Sequence, residues 1–213
     1  PAAPEVMSGP AVDARRRSPM SGTSAAATRG RLIVVAALIL LAQAPDAAHG
    51  QATTAFVPVT DAMLQDPAPE DWPMWRRTLD SWGYSPLDQI NADNVGGLQL
   101  EWVWNMHDGN SEPAPLVYGG VIYLINPGNV IQALDGKTGD LIWEHESGPE
   151  NTQDMRGIAI YEDKIIQATT DARLVALDAR TGDLVWETVI QEGNSNSSGP
   201  IVADGKVITG MGG

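Results

Sequence analysis

The sequence predicts an all-β protein, a β-propeller whose blades dock through tryptophans, and three observations carry that prediction. First, residues 133–144, from Ala133 to Glu144, return 43 residues later as Ala176 to Glu187 with nine of twelve positions identical. Second, a strand–turn–strand opening recurs from Pro115, Ile158 and Pro200, at spacings of 43 and 42 residues. Third, apolar residues in these stretches alternate with period two, and no run follows the 3.6-residue period of a helix. A helical repeat of similar length needs that helical period, whereas a four-stranded blade does not.

Residues 1–28 are rich in Ala, Ser, Pro and Arg and read as an unstructured leader, with Met20 as the plausible start. Residues 29–50 read as a signal peptide. Arg29 and Arg31 precede eleven apolar residues from Leu32 to Ala42, and small residues near Ala48–Ala52 offer a cleavage site. Eleven helical residues span only about 16 Å, too short for a hydrocarbon core about 30 Å thick. The expectation is therefore an exported protein that is not integral to the membrane after cleavage.

Beyond residue 50 the chain carries 8 basic and 24 acidic side chains. That balance argues against a nucleic-acid partner. The chain contains no cysteine, so its stability has to come from packing rather than disulfides.

Residues 51–70, with three prolines, read as an extended lead-in, and 71–213 as a partial propeller of about three blades. Five of the seven tryptophans fall between Trp72 and Trp104, and most are expected to fill core. Residues 85–95 suit a turn and a short helix capped around Asn91, and Trp102 and Trp104 alternate like a strand. In the repeated stretch, Asp135 and Asp178 can accept hydrogen bonds from turn amides, and Gly139 and Gly182 can supply a positive φ. Leu184, Trp186 and Thr188 share one face of their strand, Val185, Glu187 and Val189 the other. Apolar residues on both predict a strand covered on both sides.

Catalytic patterns are sparse. His107 and His145 have no His or Cys at metal-ligand spacing and read as surface or satisfied histidines. No phosphate loop, nucleophile elbow or dinucleotide fingerprint occurs. Glu112 and Arg156 each stand just before a predicted strand, where propeller loops converge. An arginine there can pair bidentately with a carboxylate, although a lone charged loop residue is more often simply solvated.

The tryptophan repeats, together with Trp82-Gly83-Tyr84-Ser85, Gln89-Ile90-Asn91, Asn94-Val95, Leu98 and Trp102, resemble the quinoprotein alcohol dehydrogenases over about 71–213. These periplasmic enzymes depend on pyrroloquinoline quinone (PQQ). The resemblance implies an eight-bladed propeller with PQQ near its axis beside a calcium or lanthanide ion. It also implies hydride transfer from an alcohol to PQQ, and electrons passed to a cytochrome c. The family's Glu-x-x-Pro-Leu-Val glutamate falls on Glu112, its Arg-Gly-x-Ala arginine on Arg156, and a threonine before the next blade on Ser197. Gly212 and Gly213 match the start of a small-residue run that lets backbone approach the quinone edge.

The chain departs from the family in having no adjacent cysteines near Glu150-Asn151. The metal-ligating glutamate, the other ligands and the catalytic base match nothing up to Gly213. The 213-residue chain alone is accordingly expected to lack alcohol dehydrogenase activity. A contrasting reading is a non-catalytic PQQ-like propeller scaffold of the outer-membrane assembly type. That class shares the repeat but does not need Glu112, Arg156 or the tryptophan-rich segment.

Overall fold

The computed structural model describes residues 55–149 and 154–211. The leader, the signal peptide, Glu150-Asn151, Gly212 and Gly213 therefore lie outside the described residues. Strands β1 (Leu116–Tyr118), β2 (Val121–Asn126), β3 (Val130–Asp135) and β4 (Leu141–Glu146) form one antiparallel sheet in chain order. Strands β5 (Ala159–Tyr161), β6 (Lys164–Ala168), β7 (Arg173–Asp178) and β8 (Leu184–Val189) repeat it. Strands β9 (Ile201–Ala203) and β10 (Lys206–Ile208) pair as the opening of a third sheet. The 43-residue period is thus one four-stranded blade.

The turn joining the last two strands of each blade follows from its residues. Asp135 accepts hydrogen bonds from the amides of Lys137 and Thr138 at 2.8 and 2.9 Å, and Thr138 bonds Asp140. Gly139 then takes φ +77°, and Gly182 takes +75° in the second blade. Both positions are left-handed, where a Cβ is penalised. The amide hydrogen bonds hold the Asp135 carboxyl below its ordinary range, and the Arg180 guanidinium with the local amides does the same for Asp178.

A lowered native value means that the folded chain binds the proton less tightly than the unfolded chain. The stability these carboxylates contribute is full above the ordinary value near 4 and is lost as pH falls through the lowered native values. Denaturant unfolding measured from pH 7 to pH 3 should show that loss. The Asp135→Asn, Asp178→Asn double variant should show a flatter profile below about pH 4. An unchanged slope would remove these turns as its source.

Tryptophan docking joins the blades. Trp143 in β4 is 7% exposed and donates its Nε1–H to the Ala179 carbonyl at 3.0 Å. The Tyr123 hydroxyl reaches the same oxygen at 3.0 Å. Burial, the largest cause, pushes the Tyr123 phenol pKa well above its ordinary value. The Trp143 indole lies flush on Gly182, where an added Cβ would stand 2.6 Å from the ring. Trp102 meets Gly139 in the same way, at 2.6 Å. Trp186, one blade on, is partly buried against a cluster that includes Ala176 of β7 and Val202 of β9. Leu116, Ile125 and Ile131 of the first blade share one core with Ile160, Ile165 and Leu177 of the second.

Five expectations are corrected. Strands β4 and β8 are not covered on both faces. Most of their residues are exposed, because each is the outermost strand and only its tryptophan turns into the blade interface. Nor are most tryptophans core. Among the described residues Trp143 alone is buried, while Trp75 and Trp82 are 58% and 77% exposed.

Residues 98–107 form no strand. They attach to the first blade through Trp102 on Gly139, Trp104 Nε1–H to Gln132 Oε1 at 2.9 Å, and His107 N–H to Asn126 Oδ1 at 2.9 Å. Residues 85–95 hold a turn closed by Asn91 and Asn94, and the helix beyond it is one 3₁₀ turn at Val95–Gly97.

The lead-in also has more structure than its prolines suggest. Thr60 caps a short helix α1 (Asp61–Gln65), and Val59 and Leu64 are buried in the blade core. Val59 pairs with Glu162, and Asp61 accepts from the Tyr161 hydroxyl at 2.9 Å and from the Asp204 amide at 3.0 Å. Trp72 then pairs with Val117 of β1. The segment before the first blade thereby runs along the first strands of the blades.

Candidate functional site

In an antiparallel four-stranded meander, the connection entering the first strand and the turn between the second and third strands lie at the same end. The connections entering β1, β5 and β9 carry Glu112, Arg156 and Ser197, so repeat geometry alone gathers all three at one end. The structure brings them into contact. Arg156 Nε lies 3.3 Å from Glu112 Oε2, Arg156 Nη1 donates to Ser197 Oγ at 3.2 Å, and the Arg156 amide donates to the Ser197 carbonyl at 3.2 Å.

The Arg156 and Glu112 side chains remain 57% and 54% exposed. An ion pair that open contributes little to stability, on the order of 0–1 kcal/mol. Its consequence is orientation: the guanidinium is fixed at two nitrogens while its surface stays accessible. A planar cation presented in this way is suited to a carboxylate or another anionic oxygen.

Glu112 and Arg156 stand on a cavity of about 260 Å³. Its walls are Ile158, Ile160 and Ile201, with Leu64, Met74 and Trp75 contributed from outside the blades. Behind it Gly157 and Gly199 meet backbone to backbone. A Cβ on Gly199 would sit 3.1 Å from the Gly157 Cα. The site therefore combines apolar walls with one oriented cation, one carboxylate and a nearby hydroxyl, an arrangement suited to a flat, anionic organic molecule. PQQ, an aromatic tricarboxylate, has that chemistry, and the residues present fit it.

The other candidates fall elsewhere. His107 is a satisfied histidine, its Nε2 3.4 Å from Glu144 Oε2 beside Gln132. Among the described residues no group of three or more His, Cys, Asp and Glu side chains could hold a metal.

Sequence reasoning missed two buried amides beneath the rim. Asn129 bonds Thr170 Oγ1 at 2.8 Å and the Thr170 amide at 2.9 Å, tying the β2–β3 turn to the β6–β7 turn. Asn196, 1% exposed, accepts from Ser198 and donates to Gly210 and Thr209. Their contacts with Thr170, Thr209 and Gly210 span 13 to 41 residues, which no local pattern encodes. The only trace of Asn196 is its place in the polar run Asn194–Ser198.

Comparison with known proteins agrees with this architecture. Residues 72–211 match the PQQ family described as glucose/ethanol/alcohol dehydrogenase, beta-propeller domain. The dehydrogenase subunit of the quinone alcohol dehydrogenase of Gluconobacter oxydans is 35% identical over 204 residues, covering 87% of this chain and 27% of that protein. The 1-butanol dehydrogenase (cytochrome c) of Thauera butanivorans is 38% identical over 61% of this chain and 21% of its own length. The crystal structure of the quinohemoprotein alcohol dehydrogenase of Comamonas testosteroni superposes with a TM-score of 0.67 at 33% identity, covering 73% of this chain and 25% of that one. The chain thus spans about a quarter of the length of these relatives.

Proposed function

We propose, because the chain belongs to the PQQ glucose/ethanol/alcohol dehydrogenase β-propeller family, that it supplies the first cofactor-holding blades of a periplasmic alcohol dehydrogenase. The observation that carries this is the convergence of Glu112, Arg156 and Ser197 from three successive blades, with Glu112 and Arg156 on one apolar cavity. When bound, PQQ supplies a two-electron acceptor through which an alcohol is oxidised to the carbonyl compound.

The chain's own residues perform the holding. Arg156 binds an anionic oxygen of the cofactor, Glu112 fixes the guanidinium and borders the same ligand, and the Ser197 hydroxyl adds a hydrogen bond. Ile158, Ile160, Ile201 and Trp75 keep water from the ring faces, which strengthens the charged contacts. Gly212 and Gly213 complete the proposal as backbone that approaches the ring. A calcium or lanthanide ion beside PQQ, and a cytochrome c that takes the electrons, extend it, as does export through the signal peptide.

Arg156→Ala in the full-length protein is expected to weaken PQQ binding by about 1.5–3 kcal/mol, the range for a hydrogen bond to a charged group. The melting temperature of the apo-protein should barely move, since the pair it removes is exposed. Fluorescence titration of apo-protein with PQQ makes the measurement. Unchanged affinity would take Arg156 out of the site.

A further inference from the structure

We propose that Asn196 is a positioning residue: its buried amide holds the serine loop so that Ser197 meets Arg156. This rests on the reading of the Arg156 rim as the PQQ site.

Asn196 is 1% exposed and uses its full hydrogen-bonding capacity. Its Oδ1 accepts from the Ser198 amide and hydroxyl, both at 2.8 Å. Its Nδ2 donates to the Gly210 carbonyl at 2.6 Å and to Thr209 Oγ1 at 3.1 Å. Ser198 Oγ closes the ring, 3.1 Å from Thr209 Oγ1 and 3.1 Å from the Gly210 amide. The loop entering β9 is therefore tied to the end of β10 through Asn196 and Ser198, the residues on either side of Ser197.

The Ser198 amide donated to Asn196 Oδ1 closes an Asx turn with Ser197 at its centre, and the ties of residues 196 and 198 to the end of β10 fix where Ser197 stands. There its Oγ accepts from Arg156 Nη1 and its carbonyl accepts from the Arg156 amide, both at 3.2 Å. The Asn196 backbone N–H also donates to the Thr170 carbonyl at 3.4 Å, and Thr170 is held by Asn129. A chain of buried polar groups thus runs beneath the rim from the first blade to the third. Packing alone does not need a buried amide with four partners, because each polar group taken from water must be repaired by a hydrogen bond. Its output is the orientation of Ser197 and the guanidinium.

The test is a double-mutant cycle on PQQ affinity in the full-length apo-protein, with melting temperature recorded alongside. Asn196→Ala should weaken PQQ binding about tenfold, the worth of one hydrogen bond to a charged group. In an Arg156→Ala, Ser197→Ala background the same change should cost less than about twofold, since the groups that Asn196 positions are gone. Thr209→Val removes one partner of the amide at nearly constant shape. It should act in the same direction, and it serves if Asn196→Ala does not fold.

Equal losses in both backgrounds would mean that Asn196 acts only on general stability, and the positioning role would fall. If Arg156→Ala weakens PQQ while Asn196→Ala and Thr209→Val do not, the site stands and the positioning role alone fails. If Arg156→Ala leaves affinity unchanged, both fail.

Discussion

Trp143→Ala is expected to lower the unfolding free energy by about 3–5 kcal/mol, the range for truncating a buried aromatic. The indole is 7% exposed, fills the seam between the first two blades and lies against Tyr123 with ring centroids 6.0 Å apart. Its removal leaves a void over Gly182, which has no side chain to fill it. It also removes one of the two donors to the Ala179 carbonyl, although Tyr123 keeps that oxygen satisfied. The dominant loss is therefore packing between blades. Denaturant unfolding of wild type and variant measures it, and a loss under about 1 kcal/mol would mean that the seam collapses around the void.

Gly182→Ala attacks the same seam from the other side and is expected to cost about 2–5 kcal/mol. Two terms contribute. A non-glycine residue held at φ +75° is strained, and the new methyl would stand 2.6 Å from the Trp143 ring. Gly193 separates them. It has φ +76° but nothing within 4 Å of an added Cβ, so Gly193→Ala bears only the backbone strain. The excess of Gly182→Ala over Gly193→Ala reads the docking contact directly. Equal losses would show that the tryptophan yields and that blade docking tolerates a methyl group.

These two residues also show why so much of the fold was legible in the sequence. The Asp-x-x-Thr-Gly turn and the tryptophan that follows perform their roles locally, so each repeat carries its own instructions. Asp135 folds onto Lys137 and Thr138, and Gly139 supplies the turn's conformation. What failed were inferences about environment. Val185 and Val189 are apolar yet exposed on the outermost strand β8, because position within a blade decides burial and composition does not. Helix α1 was missed because five residues with one buried leucine carry no readable period.

The site divides along the same line. Glu112 and Ser197 each stand four residues before the first strand of their blade, and Arg156 stands three before, so repeat position was a usable signal for their convergence. The contacts that hold them were not legible. Asn129 reaches Thr170 across 41 residues, and Asn196 reaches Gly210 across 14. Such pairings exist only once strands bring the loops together.

The most direct test of the central claim is the structure of the full-length protein with PQQ bound. Density should place an anionic oxygen of PQQ within about 3.2 Å of the Arg156 guanidinium, with Glu112 and Ser197 at the ring's margin. PQQ bound away from the Glu112–Arg156–Ser197 rim, with Arg156 facing solvent, would contradict it.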